Sequence, residues 1–172
     1  QFAPHCEYLA SRGMVAMTAD YRVRSRQGTP PFECVKDGKS AVRWIRQNAG
    51  KLGIDPKRLA AGGGSAGGHV AAATGTVPGL EEEGEDRSVS SKPDALVLFN
   101  PVYDNGPKGY GHDRVKDRWK EISPMHNIRK GVPPAIVFLG DQDKLIPVST
   151  AEKFKALMEK VGSQSDLHVY KD

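Results

Sequence analysis

A chain of 172 residues with 38% hydrophobic and 27% charged residues has the length and composition of one globular domain, not of a disordered or fibrous segment. Its formal charge of +4 comes from Lys and Arg scattered among acids, with no run of five basic residues, so nucleic acid is not an expected partner. No apolar stretch approaches the roughly 20 residues that a membrane-spanning helix needs.

The chain opens QFAPHCEYLASRG, with no signal or transit pattern, and reads as starting within a helix. Phe2, Tyr8, Leu9 and Ala10 followed by Gly13 predict the tail of that helix, closed at its C-terminus. Residues 14–19 (MVAMTA) form a short apolar run that predicts a buried strand. A Gly/Pro loop then runs to Pro31. Val35, Ala41, Val42, Trp44 and Ile45 recur at helical spacing and predict a helix over 32–52 with Trp44 in the core. A strand at 59–63 and a helix at 65–74 follow. Residues 76–93 are polar and acidic without periodicity, which predicts a surface excursion or a small lid. Within it, Glu81, Glu82, Glu83, Glu85 and Asp86 read as a solvated surface. A buried strand at 95–99 (ALVLF) leads into a variable segment, 100–130, too long for a plain connection and expected to hold short helices near a binding site. A strand at 135–139, an amphipathic helix at 148–161 and a strand at 165–170 complete the chain. Cys6 and Cys34 fit no CxxC or Cys/His metal spacing and are expected to be free buried thiols.

Non-alternating apolar strands that take turns with helices predict an α/β fold: one domain over 1–172, a mostly parallel sheet with helices on both faces. Ligands of such sheets bind beyond the carboxyl ends of the strands.

One segment stands out at such an end. Gly63-Gly64-Ser65-Ala66-Gly67 matches G-x-S-x-G between a predicted strand and a predicted helix, a context in which the chain must reverse sharply. A Cβ at Gly63 or Gly67 is expected to clash in that turn. The reversal would lift the Ser65 hydroxyl above the sheet and set the Ala66 amide at a helix N-terminus, where N–H groups favour negative charge. That amide would be half of an oxyanion hole. The plainer alternative is a tight glycine turn that only packs, or that cradles a phosphate. A P-loop is excluded, since no Gly-Lys-Ser/Thr follows.

DYRV at 20–23, DGKSAVRWIRQNAGKLGIDPKRLAAGGGSAGGH at 37–69 and PPAIVFLGDQDKLIPV at 133–148 together resemble the esterase/lipase branch of the α/β hydrolases, most of all its acetyl-esterase, carbohydrate-esterase-like members. The likeness runs through most of the chain and is weakest over 76–130. It implies a serine esterase with a Ser-Asp-His triad in that chain order, acting without metal or organic cofactor on a small-molecule or carbohydrate ester. Ser65 takes the nucleophile's position and Asp143 the acid's, with Asp141 as the rival two residues earlier. An acid in that place would hold the imidazole in one tautomer and stabilise its cation. The family's base is expected about 30 residues past the acid, just beyond Asp172, counting a helix of ~12 and a strand of ~6 residues with their loops. Its second oxyanion donor, in an HGG-type loop, is expected before Gln1. The fold expected is therefore an α/β hydrolase lacking its first strands and its terminal His loop.

The histidines present read differently. His69, one turn along the helix from Ser65, reads as a packing residue, and His168 as a strand side chain in the core or at the surface. His5 and His112 fall in the first helix and the variable segment, and His126 is at best near a pocket rim. Asp20, Tyr21 and Arg22 are expected to anchor a loop by hydrogen bonds, and Trp119 could line the pocket mouth. Three functions stay open: hydrolysis of short-chain, notably acetyl, esters; amide or peptide hydrolysis on the same fold, as in formamidases or prolyl-oligopeptidase-like enzymes; and a catalytically incomplete hydrolase-like fragment.

Overall fold

The computed structural model describes residues 2–171. Four strands, β1 (Ala60–Gly64), β2 (Ala95–Phe99), β3 (Ala135–Gly140) and β4 (Ser165–Tyr170), pair in parallel in the order β1-β2-β3-β4. Gly64 faces Phe99, Phe99 faces Phe138 and Gly140 faces Tyr170, so the strands finish nearly level. Alternation then sorts the side chains. Leu96, Leu98, Val137 and Leu139 point to one face and are buried there with Ala71, Ala72, Phe154 and Met158. Those four come from α5 (Ala66–Thr76) and α7 (Val148–Lys160), which cover that face.

Outside α5 lies α3 (Pro31–Gln47), joined to it through Phe32, Val35, Ala73 and Val77 in a second core cluster. Gly38 sets the closeness of this crossing, because a Cβ there would meet Val70 Cγ1 at 2.5 Å. The sheet's other face carries a half-exposed row in which Phe99 stacks on Phe138 at 5.1 Å and Phe138 on His168 at 5.4 Å. Helix α1 (Ala3–Ser11) reaches this face at one corner, where His5 meets Phe99 at 5.7 Å. Helices thus flank both faces, unequally. Short elements complete the chain: α2 (Arg24–Gln27), α4 (Ala49–Leu52), α6 (His112–Val115) and 3-10 turns at Lys116–Glu121 and Pro124–Asn127.

Several expectations are corrected. Residues 14–19 form no strand, and Met14, Val15 and Met17 are 53%, 51% and 41% exposed. A strand exists only through ladder partners, and among the described residues β1 pairs with β2 alone. Trp44 is 54% exposed instead of buried. The inward positions of α3 are Phe32, Val35, Lys39, Val42 and Arg43, and Trp44 lies about 200° round the helix from Val42.

The two buried cations on α3 also explain the acidic run, which is not simply solvated. Lys39 pairs with Glu81 at 2.9 Å, and Arg43 pairs with both Glu81 and Glu85. Lys39 further donates to the carbonyls of Val77 and Gly79. Segment 77–93, which connects the end of α5 to the start of β2, is thereby pinned against α3. Arg22 anchors its loop by ion pairs to Asp37 at 2.6 Å, Glu82 at 2.9 Å and Glu33 at 3.2 Å. Cys6 and Cys34 are free and half-buried.

Candidate active site

The site is built where β1 ends. Ser65 occupies φ 52° and ψ −118°, backbone values that side chains rarely adopt, and is exposed at the carboxyl edge. Three bonds hold this strained residue. Its N–H donates to Phe99 O at 3.0 Å, while its carbonyl accepts from His69 N at 3.0 Å and Val102 N at 3.4 Å. Strain that persists because the surroundings over-determine it is characteristic of functional turns. Helix α5 starts at Ala66. Its first-turn amides have no carbonyl one turn behind them, which leaves the Ala66 N–H side of the turn suited to an anion.

The glycines divide in a way that their spacing does not reveal. A Cβ on Gly63 would lie 2.6 Å from the carbonyl carbon and oxygen of Gly67, so glycine is required there. A Cβ on Gly67 would find nothing nearer than the Tyr21 hydroxyl at 3.9 Å, which corrects the clash expected at that position. Gly64 is tight but yielding, since its Cβ would meet the Phe2 ring at 3.0 Å. The close contacts of the turn instead involve Gly62, against Val97 O at 2.8 Å, and Gly68, against Pro101 Cβ at 2.7 Å and Gly63 O at 3.0 Å. Both stand in the GGGSAGG run; seeing their roles required knowing that β2 and Pro101 lie alongside.

Asp143 follows β3, two strands from Ser65 and on the same edge. Neighbouring strands lie ~4.8 Å apart, so the two residues are separated by roughly 10 Å of sheet. The Asp143 carboxylate is well held. Its Oδ1 accepts from Leu145 N at 2.8 Å and Ile146 N at 2.9 Å, and its Oδ2 from Asn100 Nδ2 at 2.6 Å. Partial burial pushes its pKa up, but the Asn100 amide and the two backbone donors outweigh this and hold it below the ordinary aspartate value. Asp141 is tied differently: its N–H donates to Tyr170 O at 2.8 Å and its carboxylate accepts from Gln142. Between Ser65 and Asp143 stands Asn100, a residue that the sequence reading missed and whose only local signal is the Asn-Pro step closing a buried strand. Along this edge an open cleft of about 520 Å³ is lined by Phe99, Asn100, Phe138, Leu139, Gly140 and Tyr170.

Among the described residues no histidine ring is hydrogen-bonded to the side chain of Ser65 or Asp143. His69 is buried, pairs with Asn105 Oδ1 at 2.9 Å, and is held neutral by burial, its pKa lowered to about 4. His168 is exposed in β4. His112 contacts Asn105 O at 3.0 Å. His126 lies away from the serine turn, in a second cavity along the later turns of α7 with Ile128, Leu157 and Lys160. It touches Ser123 Oγ at 2.9 Å and Asp104 at 3.8 Å, yet both face the same ring nitrogen and Ser123 is fully buried. A triad needs the acid and the nucleophile on opposite nitrogens. Trp119 packs edge-on against His126 at 4.6 Å, in the second core cluster and not at the cleft mouth. The general base expected past Asp172 and the oxyanion donor expected before Gln1 lie outside the described residues. Among those residues, no group of three or more His, Cys, Asp or Glu could hold a metal ion, and no helix is long and apolar enough to cross a membrane.

The BD-FAE family model matches residues 2–104. Esterase LipC of Mycobacterium tuberculosis is 30% identical over 169 residues, an alignment covering 85% of this chain and 40% of LipC. Esterase 2 of Thermogutta terrifontis, in a structure phosphorylated by paraoxon, superposes with a TM-score of 0.93 at 47% identity, covering 99% of this chain and 64% of that one. Its propionate-bound structure gives a TM-score of 0.93 at 46% identity, covering 99% and 65%. The chain therefore has the α/β-hydrolase fold of the esterase branch, and it spans less than two thirds of the length of these relatives.

Proposed function

The chain belongs to the BD-FAE family, and on that footing we propose that it carries the nucleophile and the acid of a carboxylic-ester hydrolase. One observation carries this reading: Ser65 is exposed in a strained turn, φ 52°, between β1 and α5, on the same sheet edge as the well-held Asp143. The Ser65 oxygen attacks the ester carbonyl carbon while its proton passes to an imidazole oriented by Asp143. The tetrahedral oxyanion forms beside the Ala66 N–H, where a preorganised donor lowers the barrier most. Collapse returns the proton to the leaving alcohol and leaves an acyl group on Ser65. Water, deprotonated by the same imidazole, then attacks the acyl carbon and releases the carboxylic acid.

Short acyl groups are the substrates proposed. Support comes from the relative whose structure holds propionate. The full-length chain should hydrolyse p-nitrophenyl acetate and butyrate, and Ser65→Ala should lower the rate by about 10⁴-fold or more. Turnover of an aminoacyl amide in preference to both esters would move the reading to an amidase. Ester turnover that survives Ser65→Ala would end it.

A further inference from the structure

Asn100 has two features that a mere connection between β2 and the following loop does not need. Its backbone lies at φ 41°, in the left-handed region that non-glycine residues avoid. Its side-chain amide also crosses the end of β3 to donate to Asp143 Oδ2 at 2.6 Å. Its own N–H donates to Phe138 O at 2.9 Å, which fastens the residue to the strand that leads to Asp143. A carboxylate oxygen offers two acceptor directions. The N–H groups of Leu145 and Ile146 fill those of Oδ1, at 2.8 and 2.9 Å. On Oδ2 the Asn100 amide takes one direction and leaves the other.

We infer that Asn100 is a positioning residue, which aims the remaining acceptor direction of Asp143 Oδ2 at the imidazole of the general base. This rests on the reading of Asp143 as the catalytic acid. Residue chemistry narrows the choice at this position. Glycine would adopt φ 41° without strain but offers no donor. Aspartate tolerates that backbone, as asparagine does, yet would set a second carboxylate against Asp143. Asparagine both takes this conformation and brings an uncharged N–H donor to the site.

Two substitutions in the full-length chain test this. Asn100→Gly removes the donor and relieves the backbone, so the melting temperature should hold or rise. Its kcat should nevertheless fall about tenfold or more while KM stays within about twofold, the pattern of an interaction made in the transition state. The Asp143 carboxyl, followed by carbon NMR, should titrate about one pH unit higher than in the parent chain. Asn100→Asp should lower kcat further and raise that titration more. Unchanged Asp143 titration in both variants would overturn the inference and leave Asn100 a backbone role only. The titration needs no ester turnover. An inactive parent chain whose Asp143 titration still moves in the variants would therefore sink the esterase reading while keeping Asn100's hold on Asp143.

Discussion

A methyl group added at residue 63 and one added at residue 67 meet opposite surroundings, although the motif treats both positions as glycine. At Gly63 it would lie 2.6 Å from backbone atoms of Gly67, which belong to the first turn of α5 and cannot step aside. Gly63→Ala should destabilise the chain by about 3 kcal/mol or prevent folding, as overpacking against backbone does. At Gly67 the nearest atom is 3.9 Å away and the residue is helical, so Gly67→Ala should stabilise by roughly 0.5–1 kcal/mol. Urea unfolding of the pair checks both signs. That Ser65 and Asp143 share one sheet edge was legible in the sequence: the G-x-S-x-G turn set Ser65 between a strand and a helix, and the family resemblance set Asp143 in the loop after the strand at 135–139. Asn100 was not. Its role depends on a contact 43 positions away, which no local pattern encodes.

At the scale of elements, helix α3 shows where periodicity informs and where it misleads. The spacing of Val35 and Val42 located the helix, but Lys39 and Arg43 share its inward side while Trp44 faces out. A long basic side chain can be buried when a partner arrives from elsewhere, and the partner here is the acidic run of segment 77–93. Glu81 is pushed up by burial, but Arg43 and Lys39 outweigh this and hold its carboxyl below the ordinary range. Removing one member of such a set strands the others. Glu81→Gln should therefore cost about 3 kcal/mol, whereas replacing Lys39 and Glu81 together by Met and Leu should cost less than the sum of the single changes. A double-mutant cycle by chemical denaturation reads the difference. The apolar run at 14–19 was misjudged for the complementary reason: its composition suits a strand, but composition does not name the neighbour that a strand must pair with.

Across the whole molecule the fold was the most legible feature. Strands β2 and β4 match the residues expected of them, and β1, β3, α5 and α7 fall within one or two residues, because each is an apolar run or an amphipathic stripe bounded by turn residues. The same architecture sets the response to pH. His69 locks α5 to the loop at Asn105 as a neutral imidazole, with a pKa of about 4 in the fold against an ordinary value of 6.5. As pH falls below 6.5 the unfolded chain takes up a proton that the folded chain refuses until about pH 4. Stability is thus fully present above that window and lost through it, by on the order of 3 kcal/mol. Glu81 and Asp143, both held low, add losses of the same sign at more acid pH. His69→Gln, which keeps a polar partner for Asn105 but does not titrate, should flatten the dependence of unfolding free energy on pH between 7 and 4.5. An unchanged slope would show that His69 takes up its proton at the same pH in the folded and unfolded chains.

Covalent capture of the serine is the most direct test of the chemistry assigned to this turn. The full-length chain treated with paraoxon, digested and sequenced by mass spectrometry should carry one diethylphosphoryl group, on Ser65. Its formation should be slowed by Asp143→Asn and abolished by Ser65→Ala. A chain that stays unmodified, or carries the adduct on another residue, would contradict the assignment of Ser65 as nucleophile.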